Sequence, residues 1–376
     1  MNNIPFAKLY DAIEPLYDEY MAKIGEMVKN CEFIGGKEVE LFEKEFALWA
    51  ESKYAVGTAN GTDSIIIALR ALGIGPGDTV LVPDHTFIAT AEAVTMVGAN
   101  ADFIDIERDY YTIDPQKIVE YLESPKGKSV KAIIPVHIYG QMANMPVIAE
   151  IAKKYHLYII EDAAQAHGAK INGYHPGYFG DVATYSFYPG KNIGAFGDAG
   201  AITTNDENLY KKCKMLVNHG RWKAKYAHNI EGYNMRLDSI QATVLRIKLK
   251  HIDEWTKLRK QKARIYLDEL EQLNGIKLPK IRDSAEHVWH IFSILIERRD
   301  EVKEKIELQG IECGIHYPIP LHLQKAYEYK AYKEGDFSIT EEIAKHQLSL
   351  PFWPEIKEEE IVKIKDILQG SIIRSI

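Results

Sequence analysis

Three cysteines in 376 residues, Cys31, Cys213 and Cys313, are too few and too far apart for a disulfide framework or a CxxC metal site. They read as buried free thiols in a reducing compartment. No apolar run approaches the ~20 residues that a membrane-spanning helix needs. The opening Met-Asn-Asn-Ile-Pro-Phe lacks a basic head followed by an apolar stretch, so a cytoplasmic protein without a secretory signal is expected. Positive charge is also scarce: the net charge of −8 argues against nucleic acid as a partner, although local basic clusters remain available to a small anion. Internal repeats, low-complexity tracts, a P-loop and a strand followed by GxGxxG are all missing. Gly73-Ile-Gly-Pro-Gly follows a helical pattern and does not qualify, which counts against a nicotinamide dehydrogenase.

What is present is a globular composition, 46% hydrophobic and 27% charged, with length enough for two domains. Short apolar runs at 79–83, 101–106, 131–136, 157–161, 182–187 and 200–203 alternate with amphipathic stretches at 63–72, 90–97, 115–122 and 145–155. That alternation predicts an α/β fold, a mostly parallel sheet with helices on both faces and ligands at the strand C-termini. Residues 236–273 read as one long helix, free of Pro and Gly until Gly275. A strand at 287–296, a helix at 299–309, a Pro-rich loop at 316–324 and a last helix at 358–368 predict a smaller α+β region. The expected division is a large domain over 1–250 and a small one over 251–376.

Two residues carry the chemical reading. Asp162 ends the apolar run Leu-Tyr-Ile-Ile-Glu-Asp, where a buried strand opens into a cleft; the competing role is a helix cap. Lys191 follows the Pro-Gly turn after the run at 182–187, where a surface lysine or a phosphate contact is the alternative. Pyridoxal phosphate (PLP) needs both types, a lysine to form an imine and a carboxylate to keep the ring nitrogen protonated. A phosphate site is expected where Gly61 and Thr62 open a helix, since free N–H groups of a first turn attract an anion; Thr62 and Asp63 would also serve as ordinary caps. Ser186 offers a hydroxyl nearby, and Phe87 an aromatic face.

These motifs resemble the DegT/DnrJ/EryC1/StrS sugar aminotransferases over nearly the whole chain. The resemblance is carried by Phe33-Ile-Gly-Gly, Asn60-Gly-Thr-Asp, Thr86-Phe-Ile-Ala-Thr and Glu161-Asp-Ala-Ala-Gln-Ala-His. It continues in Ser186-Phe-Tyr-Pro-Gly-Lys-Asn, Gly232-Tyr-Asn-Met-Arg-Leu-Asp and His316-Tyr-Pro-Ile-Pro-Leu-His-Leu-Gln. It implies the PLP-dependent transferase fold type I, with a mostly parallel seven-stranded sheet flanked by helices and a small α+β C-terminal domain. Lys191 is then the imine-forming lysine and proton carrier, Asp162 the partner of the pyridine nitrogen, and Gln165 a contact on the ring hydroxyl side. Gly61, Thr62 and Ser186 would hold the phosphate and Phe87 would cover the ring. Asn234 would reach the phosphate of a neighbouring subunit, which implies a homodimer with shared sites. A sister group has histidine in place of the lysine and removes a hydroxyl instead; Lys191 favours transamination. The one visible departure, Ala242-Thr243 where the family often has Ala-Ala, concerns packing.

The resemblance also implies a nucleotide-linked keto-sugar as acceptor and L-glutamate as donor. Arg221 and Trp222 are candidates for a diphosphate and a base, with an exposed basic loop as the alternative. His316, Tyr317 and His322 resemble the family's sugar-side loop. The His287-Val-Trp-His and His316-Tyr-Pro motifs favour amination at C3 over C4, on a dTDP- or UDP-sugar. No metal is expected, because the histidines at 287, 290, 316 and 322 have no Cys or carboxylate at ligand spacing. A regulatory PLP-binding protein of the same fold, or an aminotransferase acting on a keto-cyclitol, are the competing functions.

Overall fold

Burial on both faces explains why the strands read as continuous apolar runs. In the computed structural model, which describes residues 3–373, every residue of β2 (Thr79–Pro83) is buried. The same sheet contains β1 (Tyr54–Thr58), β3 (Asn100–Ile104), β4 (Val130–Ile133), β5 (Tyr158–Asp162), β6 (Val182–Ser186) and β7 (Gly200–Thr204). Their order is β1-β7-β6-β5-β4-β2-β3. Only β7 runs against its neighbours. The two-residue period sends Leu81, Ile159 and Ala183 into the core on one face, and Val80, Val82, Ile160 and Val182 into the core on the other. The C-terminal ends of β1, β2, β5 and β6 therefore share one edge. That edge carries Asn60, His85, Asp162 and Ser186.

The C-terminal region has its own core around an antiparallel sheet of β8 (Ile276–Lys277), β9 (Phe292–Ile296) and β10 (Gln347–Leu350). Tyr266, Phe292, Leu348 and Leu368 fill it, and Ile4 joins them through a bridge to Ile311. The first described residues thus cross to this core.

Three expectations are corrected. The pattern at 236–273 is two helices, Ser239–Leu249 and Ile252–Leu270, broken at Lys250 and His251. No Pro or Gly causes the break. The backbone N–H of His251 bonds Lys248 O, a tightened turn, because Leu245 and Ile252 pack on the main sheet while Ala263, Tyr266 and Leu270 pack on the C-terminal core. The strand expected at 287–296 begins only at Phe292, since Trp289 adopts a left-handed φ of 50° and the N–H groups of Val288 and His290 bond Gly140 and Tyr139. Of the three free thiols, Cys213 and Cys313 are buried, but Cys31 is exposed, at the left-handed end of the helix Tyr17–Asn30.

Phe292 is fully buried and stacks on Tyr266 at 4.7 Å and on Trp289 at 5.5 Å. Phe292→Ala is expected to destabilise the C-terminal core by about 3–5 kcal/mol, read from urea unfolding followed by tryptophan fluorescence. A loss under about 1 kcal/mol would contradict this packing.

Candidate active site

Strand β5 delivers Asp162 to the shared edge with its carboxylate in the interior, only 5% of the residue exposed. Its Oδ2 accepts from the Thr90 hydroxyl at 2.8 Å and its Oδ1 from the Ala164 N–H at 3.1 Å. The second bond is a short local turn; Asp162 starts no helix. Burial raises the Asp162 pKa, against those two hydrogen bonds and the nearby charge of Lys191. Among the described residues no cation forms an ion pair with it. The carboxylate thus has acceptor capacity left and no protein cation to use it.

Lys191 sits on the loop after β6, its backbone N–H bonded to Tyr188 O. Burial lowers its pKa to about 8, and attraction to Asp162 opposes the shift. Its amine is therefore far easier to deprotonate than a surface lysine's.

The phosphate cradle is assembled from two elements. Asn60 caps the helix Gly61–Leu72 by accepting from Asp63 N–H at 2.8 Å, so neither Thr62 nor Asp63 is the cap, and the first-turn N–H groups of Gly61 and Thr62 stay available. At Gly61 the helix start meets β6 so closely that a Cβ there would lie 2.7 Å from the Ser186 Cβ. Only glycine fits beside that serine.

Gln165 is locked at both ends. Its Oε1 accepts from Tyr139 N–H at 2.7 Å, and its Nε2 donates to the Tyr317 hydroxyl at 3.2 Å. Phe87 is 55% exposed at the cleft, its ring 5.8 Å from that of Tyr317. His316 stacks on Phe6 at 5.6 Å and shares a hydrogen bond with the Ser349 hydroxyl at 2.8 Å. Burial, with the charge of Lys191, lowers its pKa to about 4, so its ring is neutral near pH 7. Lys191, Gln165, His316 and Tyr317 line one cavity of about 400 Å³.

Other predicted contacts lie elsewhere. His322 is a correction: it is buried, with Nδ1 2.6 Å from Asp84 Oδ2 and Nε2 3.1 Å from Glu341 Oε1. Burial opposes its charge, but the bond to Asp84 and the two carboxylates outweigh burial and raise its pKa. Both ring nitrogens are occupied, so it pins the 316–324 loop to the end of β2 and offers nothing to a substrate. Arg221 is folded onto its own loop, bonding Asn218 Oδ1 at 2.5 Å and Lys225 O at 3.2 Å. Trp222 packs edge-on to Tyr210 at 6.3 Å. Asn234 is exposed and accepts from Arg236 at 2.6 Å. None of these three lines the cavity with Lys191. Among the described residues no cluster of three His, Cys, Asp or Glu is placed to hold a metal ion.

Two supporting residues escaped the sequence reading. Thr90 lies within the quoted Thr86-Phe-Ile-Ala-Thr motif, yet nothing in sequence pairs it with Asp162. His137 donates through its backbone N–H to Asp162 O at 3.0 Å, and its ring meets the buried Glu161 at 2.8 Å. Because Ala143 N–H bonds its Nδ1 at 3.2 Å, the ring proton is on Nε2 and points at Glu161. The apolar run before it hid this pair.

A planar phosphate ester with a basic ring nitrogen and an aldehyde matches these features: a helix-start cradle, a buried carboxylate with spare acceptors and an activated amine. Pyridoxal phosphate is such a molecule.

Comparison with known proteins agrees. Residues 16–369 match the model of the DegT/DnrJ/EryC1/StrS aminotransferase family. The chain is 44% identical to a pleiotropic regulatory protein of Geobacillus stearothermophilus, covering 95% of each. It is 42% identical to a dTDP-3-amino-3,4,6-trideoxy-alpha-D-glucose transaminase of Streptomyces venezuelae, covering 97% of this chain and 95% of that one. The crystal structure of S. venezuelae DesV in complex with a ketimine intermediate superposes with a TM-score of 0.94 at 42% identity, covering 98% of both chains. The chain belongs to the DegT/DnrJ/EryC1/StrS aminotransferase family and is a PLP-dependent sugar aminotransferase.

Proposed function

We propose that this enzyme moves an amino group from L-glutamate to C3 of a nucleotide-linked 3-keto-sugar, dTDP- or UDP-linked, in two half-reactions through one cleft, in the cytoplasm. The observation that carries the reading is the meeting of Asp162 and Lys191 at one sheet edge, beside the Gly61–Ser186 cradle. PLP supplies an aldehyde that takes the amino group and a ring that accepts electrons when a proton leaves the substrate carbon. Asp162 would hold a proton on the ring nitrogen, and the Thr90 and Ala164 bonds fix its orientation. Lys191 Nζ, with its lowered pKa, takes and returns the substrate proton. Gly61 and Thr62 N–H and the Ser186 hydroxyl would hold the phosphate, Gln165 would serve the ring hydroxyl side, and Phe87 would cover the ring. His316 and Tyr317 face the sugar.

The S. venezuelae relative's name places its amino group at carbon 3 of a dTDP-sugar, which supports C3 here. The name of the Geobacillus relative supports a second reading, a PLP-binding regulator. Separating the half-reactions decides between them. Glutamate is expected to convert the bound cofactor to its amine form, and a dTDP- or UDP-3-keto-sugar to reverse the change. Asp162→Asn is expected to slow both by orders of magnitude while still binding the cofactor. Cofactor binding with no response to glutamate would favour the regulator; reversal by 4-keto-sugars alone would move the reaction to C4.

A homodimer with shared sites completes this reading. Tyr10, Tyr17, Met21, Val28, Phe33 and Ile34 are exposed apolar side chains near the N-terminus, a face that calls for a partner. Asn218 Oδ1 accepts from both Arg221 and Arg236, and Arg236 also bonds Asn234. If Asn234 serves the neighbouring site, Arg221 and Trp222 travel with it, toward the neighbour's nucleotide. Mixing inactive Lys191→Ala and Asn234→Ala chains in equal amounts is expected to restore about a quarter of wild-type activity, since half of the dimers are mixed and each has one intact site. No recovery after verified subunit exchange would remove the shared site.

The lowered Lys191 pKa gives a pH prediction. In cofactor-free protein the amine is protonated and unreactive below about 8 and becomes free as pH rises through that value. Its labelling by an amine-directed reagent, followed by peptide mass, is expected to titrate near 8. Titration near the ordinary lysine value of ~10.4 would show an exposed, unperturbed amine.

A further inference from the structure

The cavity that Lys191, Gln165, His316 and Tyr317 line is a larger chamber, with further lining residues to which no role is assigned above. Lys248, Trp255 and Arg259 line it, together with residues from the segments 6–13 and 352–355. Lys248 and Arg259 are 6% and 7% exposed. Among the described residues neither has an ion-pair partner. Lys248 Nζ donates to Gly194 O at 2.6 Å and lies 5.1 Å from the centre of the Phe196 ring. Arg259 donates from Nη1 to Trp289 O at 3.0 Å and lies over the Phe352 ring, while its Nε is buried with no acceptor. One acid, Glu355, shares the chamber. It attracts Arg259 from beyond ion-pair distance, and its Oε2 is itself unpartnered.

Four basic side chains therefore line one cavity; Lys8 is paired with Glu360, and the other three face a single lining carboxylate, Glu355, that pairs with none of them. Buried charge without a counter-ion is costly and rarely kept without use. Burial lowers the Lys248 pKa to about 8 and that of Arg259 to about 10, which is what groups without an anion would show. His290, on the same cavity wall, feels the charge of both Lys191 and Arg259, so the chamber is continuous with the reacting end.

We propose that Lys248 and Arg259 form a carboxylate-binding site beside Lys191. Lys248 has two further N–H donors and Arg259 those of its Nη2, enough to hold one carboxylate. Building on the function proposed above, that carboxylate belongs to the amino donor or to a uronate-type sugar; both present the same group. The competing role for Lys248 is structural, anchoring the loop after β6 through Gly194 O.

Calorimetric titration of the holoenzyme with glutarate, and with UDP-glucuronate against UDP-glucose, separates these. Lys248→Gln is expected to weaken one of the two carboxylates by about tenfold to a hundredfold, as loss of a buried charged hydrogen bond does. Lys248→Arg is expected to restore binding within a few-fold, with the cofactor absorbance unchanged in both variants. Loss on glutarate identifies the donor; loss on UDP-glucuronate but not UDP-glucose identifies the sugar. Arg259→Lys, which keeps the charge but loses the guanidinium fork, is expected to bind more weakly; unchanged binding would remove Arg259. No binding of either carboxylate by wild type, equal affinities in Lys248→Gln, or a shifted cofactor spectrum without selective carboxylate loss would overturn the site. Binding of glutarate through Lys248 without amino transfer to any keto-sugar would sink the proposed function and leave this site standing.

Discussion

The burial of one carboxylate, Asp162, constrains most of this active site. Its desolvation raises its pKa, so the charged form needs help. Thr90 and Ala164 provide two hydrogen bonds, and Lys191 provides a nearby positive charge that stops short of an ion pair. A closer lysine would neutralise the acid; a wetter site would leave it indifferent to a ring nitrogen. The compromise depends on strand β5 ending where it does, one residue after Glu161 turns the other way.

Glu161 shows how the sheet supports that placement. Its side chain is fully buried and takes hydrogen bonds from Gly177 and Gly180 N–H and from the His137 ring. His137 in turn bonds the Asp162 carbonyl. Adjacent acids on one strand thus face opposite sides, one spent on structure and the other left for chemistry. That division follows from the two-residue period of a strand.

Much of this was legible in sequence because the central strands are uninterrupted apolar runs and the site residues close them. Asp162 and Lys191 follow such runs, and Gly61 opens a helix. Strand β1 was not among those runs: Tyr54-Ala-Val-Gly-Thr is short and contains a glycine that approaches Leu237. The break at Lys250–His251 was invisible because no residue there forbids helix; two separate cores pull the halves apart. His322 looked like a substrate contact because sequence shows a polar loop and cannot show Asp84 and Glu341 closing on its ring. Lys248 gave no signal at all. One lysine in a helix rich in Lys and Arg is usually solvated; here its amine turns inward to Gly194 O and the Phe196 ring.

Two lysines with pKa lowered to about 8 now line one cavity, Lys191 and Lys248. Only Lys191 is within electrostatic reach of Asp162. Borohydride reduction of the PLP-loaded protein fixes the cofactor to whichever amine holds it, and peptide mass spectrometry then locates the label. The account predicts a phosphopyridoxyl group on Lys191 alone, lost in Lys191→Ala. A label on Lys248 in wild-type protein would contradict it.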